Sequence, residues 1–379
     1  MRIFENIHID WMGRRKLFYI VSSALFFLGL LTMIFRGLEF GIDFKGGSEI
    51  VLQFEKPINI GNIRTEVEKL GLGNIELKTY GGENAVLIRT ELQSIPANLY
   101  PRVVQSIQSE IDNAIPNVER SITDSSQNSI TFTLANPDTT NILVEKLFEA
   151  GFQTAKVSEE PDNKKMIISV GISDWIKENL KIKFKDNPFK VLKEDQVGPK
   201  VGKELKQDAV IAVFLSLVVI LIYLAFRFKF IFAFGAVLAL FHDVLITLGL
   251  YALLYGVIPG LNLEIDLSIV AAFLTLVGYS INDTVIVFDR VRENLKIHKT
   301  MPLFDVLNMS INRTMSRTIL TGGTTLLAVL VIFIFGGEVL RAFAFTLAFG
   351  IIIGTYSSIF VASALVLEYA SKTKKKVEF

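Results

Sequence analysis

Cysteine is absent from the 379 residues, and only three histidines and two tryptophans occur. The lack of cysteine excludes disulfides, thiolate metal sites and cysteine nucleophiles. A net charge of +1 gives no reason to expect a nucleic-acid partner. No Walker loop, Ser-His-Asp arrangement or cluster at metal-ligand spacing stands out, so the residues do not point to an enzyme, a metal or an organic cofactor. What the chain has in abundance is apolar side chains: 51% of residues are hydrophobic, and 30 are phenylalanine.

Those residues gather into runs. Leu17 to Phe35 is long enough to cross about 30 Å of hydrocarbon. Arg14, Arg15 and Lys16 precede it and no small-residue cleavage pattern follows, so a retained signal anchor is expected. Five more runs follow at 208–226, 230–255, 266–289, 318–337 and 341–368. Basic residues fall in alternate gaps: Arg227 and Lys229, then Arg290, Arg292, Lys296, Lys299 and Arg313, then Lys372 and Lys374 to Lys376. The positive-inside rule places these gaps, and both termini, in the cytoplasm. The lysine-rich tail suits anionic membrane lipid.

Between the first two runs the character changes. The reading is a cytoplasmic N-terminus at 1–16, a first span at 17–36 and an extracytoplasmic α+β domain at 37–206. Five spans over 207–369 and a basic cytoplasmic tail at 370–379 complete it. Strands are expected at Glu49–Phe54, Glu76–Tyr80, Val86–Arg89, Ser129–Leu134, Ala155–Ser158 and Met166–Val170. Helices are expected at Ile60–Leu70, Ala97–Ala114, Thr140–Ala150 and Ser173–Phe184. The order strand-helix-strand-strand-helix suggests a ferredoxin-like α+β module. Val67-Glu68-Lys69-Leu70 recurs as Val144-Glu145-Lys146-Leu147, followed by Gly151, which suggests a duplication.

Asp283 stands inside the fourth run, where a carboxylate costs roughly 2.5–3.5 kcal/mol on insertion scales. Tyr279 and Ser280 precede it by four and three residues, on the same helix face. Its role is either a structural hydrogen bond between helices or proton and ion handling. His242 and Asp243 lie in the third run; adjacent helix positions diverge by about 100°, so no dyad is expected. Each then makes its own interhelical contact, or Asp243 helps a proton path. Arg317 opens the fifth run, with Arg313 one turn earlier. It is either an interfacial arginine reaching lipid phosphate or a counter-charge for Asp283. Gly322-Gly323 after it allows close packing or a bend.

Two glycine segments flank the outer domain. Gly41, Gly46 and Gly47 occur in GIDFKGGS, and Gly198, Pro199 and Gly202 in VGPKVGKEL. Both are read as links or hinges between domain and membrane.

Taken together, GIDFKGGS, VGPKVGKEL, the His-Asp pair, GYSINDTVIVFDRVRE and the Arg-Thr-rich start of the fifth run resemble the SecD/SecF protein-export family. The resemblance covers nearly the whole chain. It implies a half-unit of the resistance-nodulation-division type, with six transmembrane helices and an α+β ferredoxin-like extracytoplasmic domain. It implies use of proton flow with a SecD-like subunit to help complete preprotein export, beside SecYEG and the ATPase SecA. Protons are then the only coupling species, Asp283 the proton-carrying carboxylate, Arg317 its basic partner and Asp243 a further relay residue. The location implied is a bacterial-type inner membrane. A small-molecule or lipid exporter half-unit of the same superfamily is the alternative, and a passive translocon scaffold a third. The outer region is longer than the family pattern suggests, consistent with an added α+β unit.

Overall fold

The computed structural model describes residues 8–373 except 127, 151 and 259. Lys374 to Lys376 of the basic tail, and Gly151, lie outside the described residues. Two compact units form: Met1–Gly41 with Leu205–Phe379, and Ile42–Glu204.

In chain order, α1 (Arg15–Arg36) is followed by α2 (Ile42–Lys45), β1 (Gly47–Phe54), α3 (Ile60–Glu68), β2 (Ile75–Thr79) and β3 (Ala85–Thr90). Next come α4 (Tyr100–Ala114), β4 (Arg120–Ser125), β5 (Ser129–Leu134), α5 (Pro137–Ala150), β6 (Thr154–Lys156) and β7 (Lys165–Ser169). Then α6 (Ile172–Lys183) and β8 (Phe189–Val197) lead into α7 (Pro199–Arg227), α8 (Phe230–Leu254), α9 (Leu267–Ile297) and α10 (Leu303–Phe335). The last span is α11 (Gly337–Ser357), a π-helical turn at Ser358–Ser363 and α12 (Ala364–Thr373).

Six helices are long and apolar enough to cross a membrane, as the apolar runs predict. They outrun those runs because polar helix ends find partners. Asp266 caps α9, accepting a bond from Ile269 N at 2.9 Å. Beyond the apolar part, Asn294 of α9 donates to Ser310 of α10 at 2.8 Å and accepts from Arg313 at 3.1 Å. Arg227 and Asp289 pair at 3.0 Å. Helix α8 and the last span are the most buried, while α1, α7 and α10 are mostly peripheral. Helices α1 and α8 meet backbone to backbone: a methyl at Gly249 would stand 2.4 Å from Gly29 Cα.

The Ile42–Glu204 unit holds two four-stranded antiparallel sheets, ordered β2-β3-β1-β8 and β4-β5-β7-β6. Both follow one pattern. In each, a strand is joined through a helix to a hairpin: β1-α3-β2-β3 and β5-α5-β6-β7. The closing strands are exchanged. β4 completes the second sheet beside β5, and β8 completes the first beside β1. The Val-Glu-Lys-Leu repeats fall at the end of α3 and inside α5, the matching helices of the two halves. Ile50, Leu52, Val86 and Ile88 from one sheet and Ile130, Phe132, Met166 and Ile168 from the other share one apolar core.

Two strands, β4 and β8, are absent from the sequence reading. β8 (FKVLKEDQV) is charged and largely open to solvent, with no apolar alternation to betray it. It forms because the edge of β1 offers it a hydrogen-bonding ladder from Gly47 to Phe54. β4 is likewise an exposed edge strand.

Charges line up across the first sheet. Glu76, Arg89 and Glu49 are direct cross-strand neighbours on β2, β3 and β1. Arg89 bonds both carboxylates, and Lys193 of β8 reaches Glu49 at 3.1 Å and Asp195 at 2.8 Å. Burial alone would depress the Lys193 ammonium, but Glu49 and Asp195 hold it above its usual range.

Candidate functional site

Where α9 meets α11 the helices pack closely, because glycine leaves room. A methyl at Gly350 would stand 2.2 Å from Leu276 Cδ1. One at Gly354 would stand 2.8 Å from Ser280 Oγ and 2.9 Å from Ser280 Cβ. Gly350 and Gly354 are one turn apart, as are Leu276 and Ser280, so two facing stripes interlock.

Asp283 lies beside this contact and is 2% exposed. It accepts one hydrogen bond, from Thr355 Oγ1 of α11 at 3.1 Å. Of its two expected neighbours, neither bonds it. Ser280 turns to Asp243, and Tyr279 Oη is buried with no partner among the described residues.

Asp243 is the more enclosed carboxylate, with no exposed surface. Its Oδ2 accepts from Ser280 Oγ of α9 and Ser357 Oγ of α11, both at 2.7 Å. Its Oδ1 lies 3.0 Å from His242 Nδ1. The expectation of no dyad is therefore wrong. The 100° step sets where Cβ bonds leave the helix, but two flexible side chains can still bring their tips together. One carboxylate thus ties α8 to α9 and α11, and the π-helical turn begins directly after Ser357. Such turns often mark functional sites.

Arg317 is exposed on α10 and forms no ion pair within 4.0 Å among the described residues. Its charge is nonetheless within electrostatic range of Asp283. Helix α10 runs unbroken through Gly322-Gly323. A methyl at Gly322 would make ordinary contact, 3.6 Å from Thr355 Oγ1, and one at Gly323 would meet nothing within 4 Å. These glycines bring α10 beside Thr355 without being sterically required.

The flanking glycine segments are tightly built. Gly46 (φ 77°) and Gly47 (φ 118°) occupy backbone conformations that other residues rarely adopt. Within the Ile42–Glu204 unit, a methyl at Gly46 would stand 2.9 Å from Pro199 Cα, and one at Gly202 would stand 3.2 Å from Asp43 O. The two segments therefore lock together, and Gly198 O accepts from Gly202 N at 2.8 Å. In the membrane unit Gly41 N donates to Ile265 O at 2.8 Å.

Thr355, Ser357, Gly350 and Gly354 were not singled out from sequence. The G-x-x-x-G spacing in an apolar run was the available signal for the glycines. The two hydroxyls carried none.

Comparison with known proteins bears on what this arrangement serves. The model of the SecD/SecF protein-export membrane protein C-terminal region matches residues 176–372, and that of the SecD/SecF GG motif matches 32–58. The protein translocase subunit SecF of Rhodothermus marinus is 40% identical over 372 residues, covering 98% of this chain and 96% of that relative. SecF of Calditerrivibrio nitroreducens is 36% identical over 377 residues, covering 99% and 97%. A crystal structure of SecDF, a translocon-associated membrane protein from Thermus thermophilus, superposes with a TM-score of 0.65 at 28% identity. It covers 98% of this chain, which spans 40% of the SecDF chain. Likeness of this extent, end to end and in both sequence and fold, makes the chain a member of the SecF family of Sec protein-export subunits, multi-pass proteins of the inner membrane.

Proposed function

We propose that this chain couples proton movement through its helix bundle to late steps of preprotein export. Asp283 takes up and releases the proton, Arg317 supplies a counter-charge from α10, and Asp243 is a second carboxylate of the path. The observation that carries the reading is that both buried carboxylates engage the last span beside α9: Asp283 through Thr355, Asp243 through Ser357 and Ser280. A carboxyl group in a low dielectric keeps its proton unless a cation or donor is near. Gaining or losing that proton therefore changes the bonds between these helices. One charge crossing about 100 mV supplies about 2.3 kcal/mol, enough to shift a conformational balance of a few kcal/mol.

A SecD-like half completes the assembly, beside SecYEG and behind SecA, with the emerging preprotein as substrate. The basic segments and both termini face the cytoplasm by the positive-inside rule, and the Ile42–Glu204 unit faces outward. Gly41, Gly46, Gly47, Gly198, Pro199 and Gly202 form the links through which motion passes. Gly46 packs on Pro199 and Gly202 on Asp43, which supports a closely built link rather than a slack one. The test is Asp283→Asn at normal expression, in vesicles with the SecD-like partner and translocon. Proton-dependent preprotein release is expected to be lost. Full release by that variant sinks the reading and leaves a passive scaffold.

A further inference from the structure

His242 has a partner at only one of its two ring nitrogens. Nδ1 meets Asp243, whereas Nε2 is buried with no partner among the described residues. A neutral imidazole carries one donor and one acceptor, so Nε2 is unmet in either tautomer. Burying such an atom unpaired is unfavourable, and His242 is only 9% exposed. The ring lies 6.4 Å from that of Tyr356, tilted by 23°. Tyr356 is bound to α1: its Oη donates to Phe18 O at 2.9 Å and sits 2.8 Å from Ser22 Oγ. Tyr356 also stands between Thr355, which holds Asp283, and Ser357, which holds Asp243. One residue after Phe18, Tyr19 Oη is another buried hydroxyl with no partner among the described residues. It is within electrostatic range of Glu368 and Arg15, which pair at 3.1 Å.

We propose that His242 is itself a proton-carrying residue, opening a second limb of the path from Asp243 by way of Tyr356 and Ser22 toward the Arg15 end of α1. This rests on the proton-path reading above. The step is a relay across the ring. A proton binds Nε2 while Nδ1 gives its own to the ionised Asp243 Oδ1. One N–H bond forms, another breaks, and an O–H bond is made. The imidazole ends neutral with its hydrogen on Nε2, the carboxylate ends as an acid, and one positive charge has crossed the ring. The groups facing this step are Asp243 on α8, Ser280 on α9, and Tyr356 and Ser357 on α11. Asp283 lies one turn beyond Ser280, and Arg15 and Glu368 close the far end.

The experiment uses the full chain with its SecD-like partner in proteoliposomes, with an internal pH dye reporting flux under an imposed gradient. His242→Asn keeps an amide near the Nδ1 position to hold Asp243 but has no Nε2. Flux is expected to fall by about a hundredfold while partner co-purification is retained. Full flux in His242→Asn, with Asp283→Asn still blocked, overturns this inference alone. Full flux in Asp283→Asn overturns the underlying reading. Should His242→Asn fail to assemble, wild-type His242 decides the matter. With ¹⁵N-histidine labelling in a His8→Gln, His298→Gln background, its resonances are expected to show both the Nδ1–H and the Nε2–H forms. A single tautomer overturns the inference.

Discussion

Gly354 and Gly323 lie on neighbouring helices and differ in what stands opposite them. A methyl at Gly354 would collide with Ser280, while one at Gly323 meets open space. Gly354→Ala is therefore expected to destabilise the bundle by about 1–3 kcal/mol, the usual cost of overpacking. It should also loosen the Ser280–Asp243 bond. Gly323→Ala should be neutral or stabilising by up to about 1 kcal/mol, since alanine is the better helix former. Thermal midpoints of the detergent-solubilised chain measure both. Equal losses in the two variants would refute the packing account. At this scale Asp283, Asp243 and Arg317 were legible in the sequence, because charge inside an apolar run is conspicuous. Which hydroxyl serves which carboxylate was not, because Thr355 and Ser357 come from α11, more than 70 residues beyond Asp283.

Elements are joined by pairings that local pattern does not encode. The first sheet depends on Arg89, which is 6% exposed and bonds Glu49, itself 3% exposed. Removing the arginine alone leaves the buried Glu49 carboxylate with Lys193 as its remaining cationic partner. Arg89→Met is expected to cost about 1.5–3 kcal/mol, the loss of hydrogen bonds to a charged group, while Glu49→Leu with Arg89→Met should cost less. Denaturant unfolding of the Ile42–Glu204 unit within the full chain separates the two. A double variant as unstable as the single one would show that the pair itself stabilises the sheet. Strands β1, β3 and β5 were legible from their apolar content, and Ser129–Leu134 matches at both ends. β8 was not, because its stability comes from the ladder on β1 rather than from its own side chains.

For the molecule as a whole, the Ile42–Glu204 unit is expected to carry a pH response. Glu178 on α6 accepts a bond from Ser106 on α4, so it stands where the halves exchange their closing segments. Burial pushes its carboxyl up to about 7, helped by Glu110 and Asp174 and opposed by the Ser106 bond. The ordinary value is 4.5, so between pH 4.5 and about 7 the folded chain holds a proton the unfolded chain releases. Stability must then fall as pH rises through that window, by roughly 3 kcal/mol at most, and change little beyond it. Trp175 lies one turn from Glu178 and, in a Trp11→Phe background, reports the unfolding alone. Glu178→Gln should flatten the profile; an unchanged slope would reject the assignment.

Hydrocarbon thickness sets how long an apolar run must be, and alternation sets which short segments become strands. Both are local rules, so six spans, an α+β region between the first two and an intramembrane carboxylate at Asp283 were determined by the sequence by itself. The tertiary structure decided what depends on distant partners. It joined His242 to Asp243 against the helical angle, gave Ser280 to Asp243 rather than Asp283, and left Arg317 unpaired with Asp283. It also exchanged β4 and β8 between the two sheets. Each outcome rests on groups far apart in the chain meeting at a few ångströms, where close packing and the cost of unpaired polar atoms choose among arrangements that the sequence leaves equal.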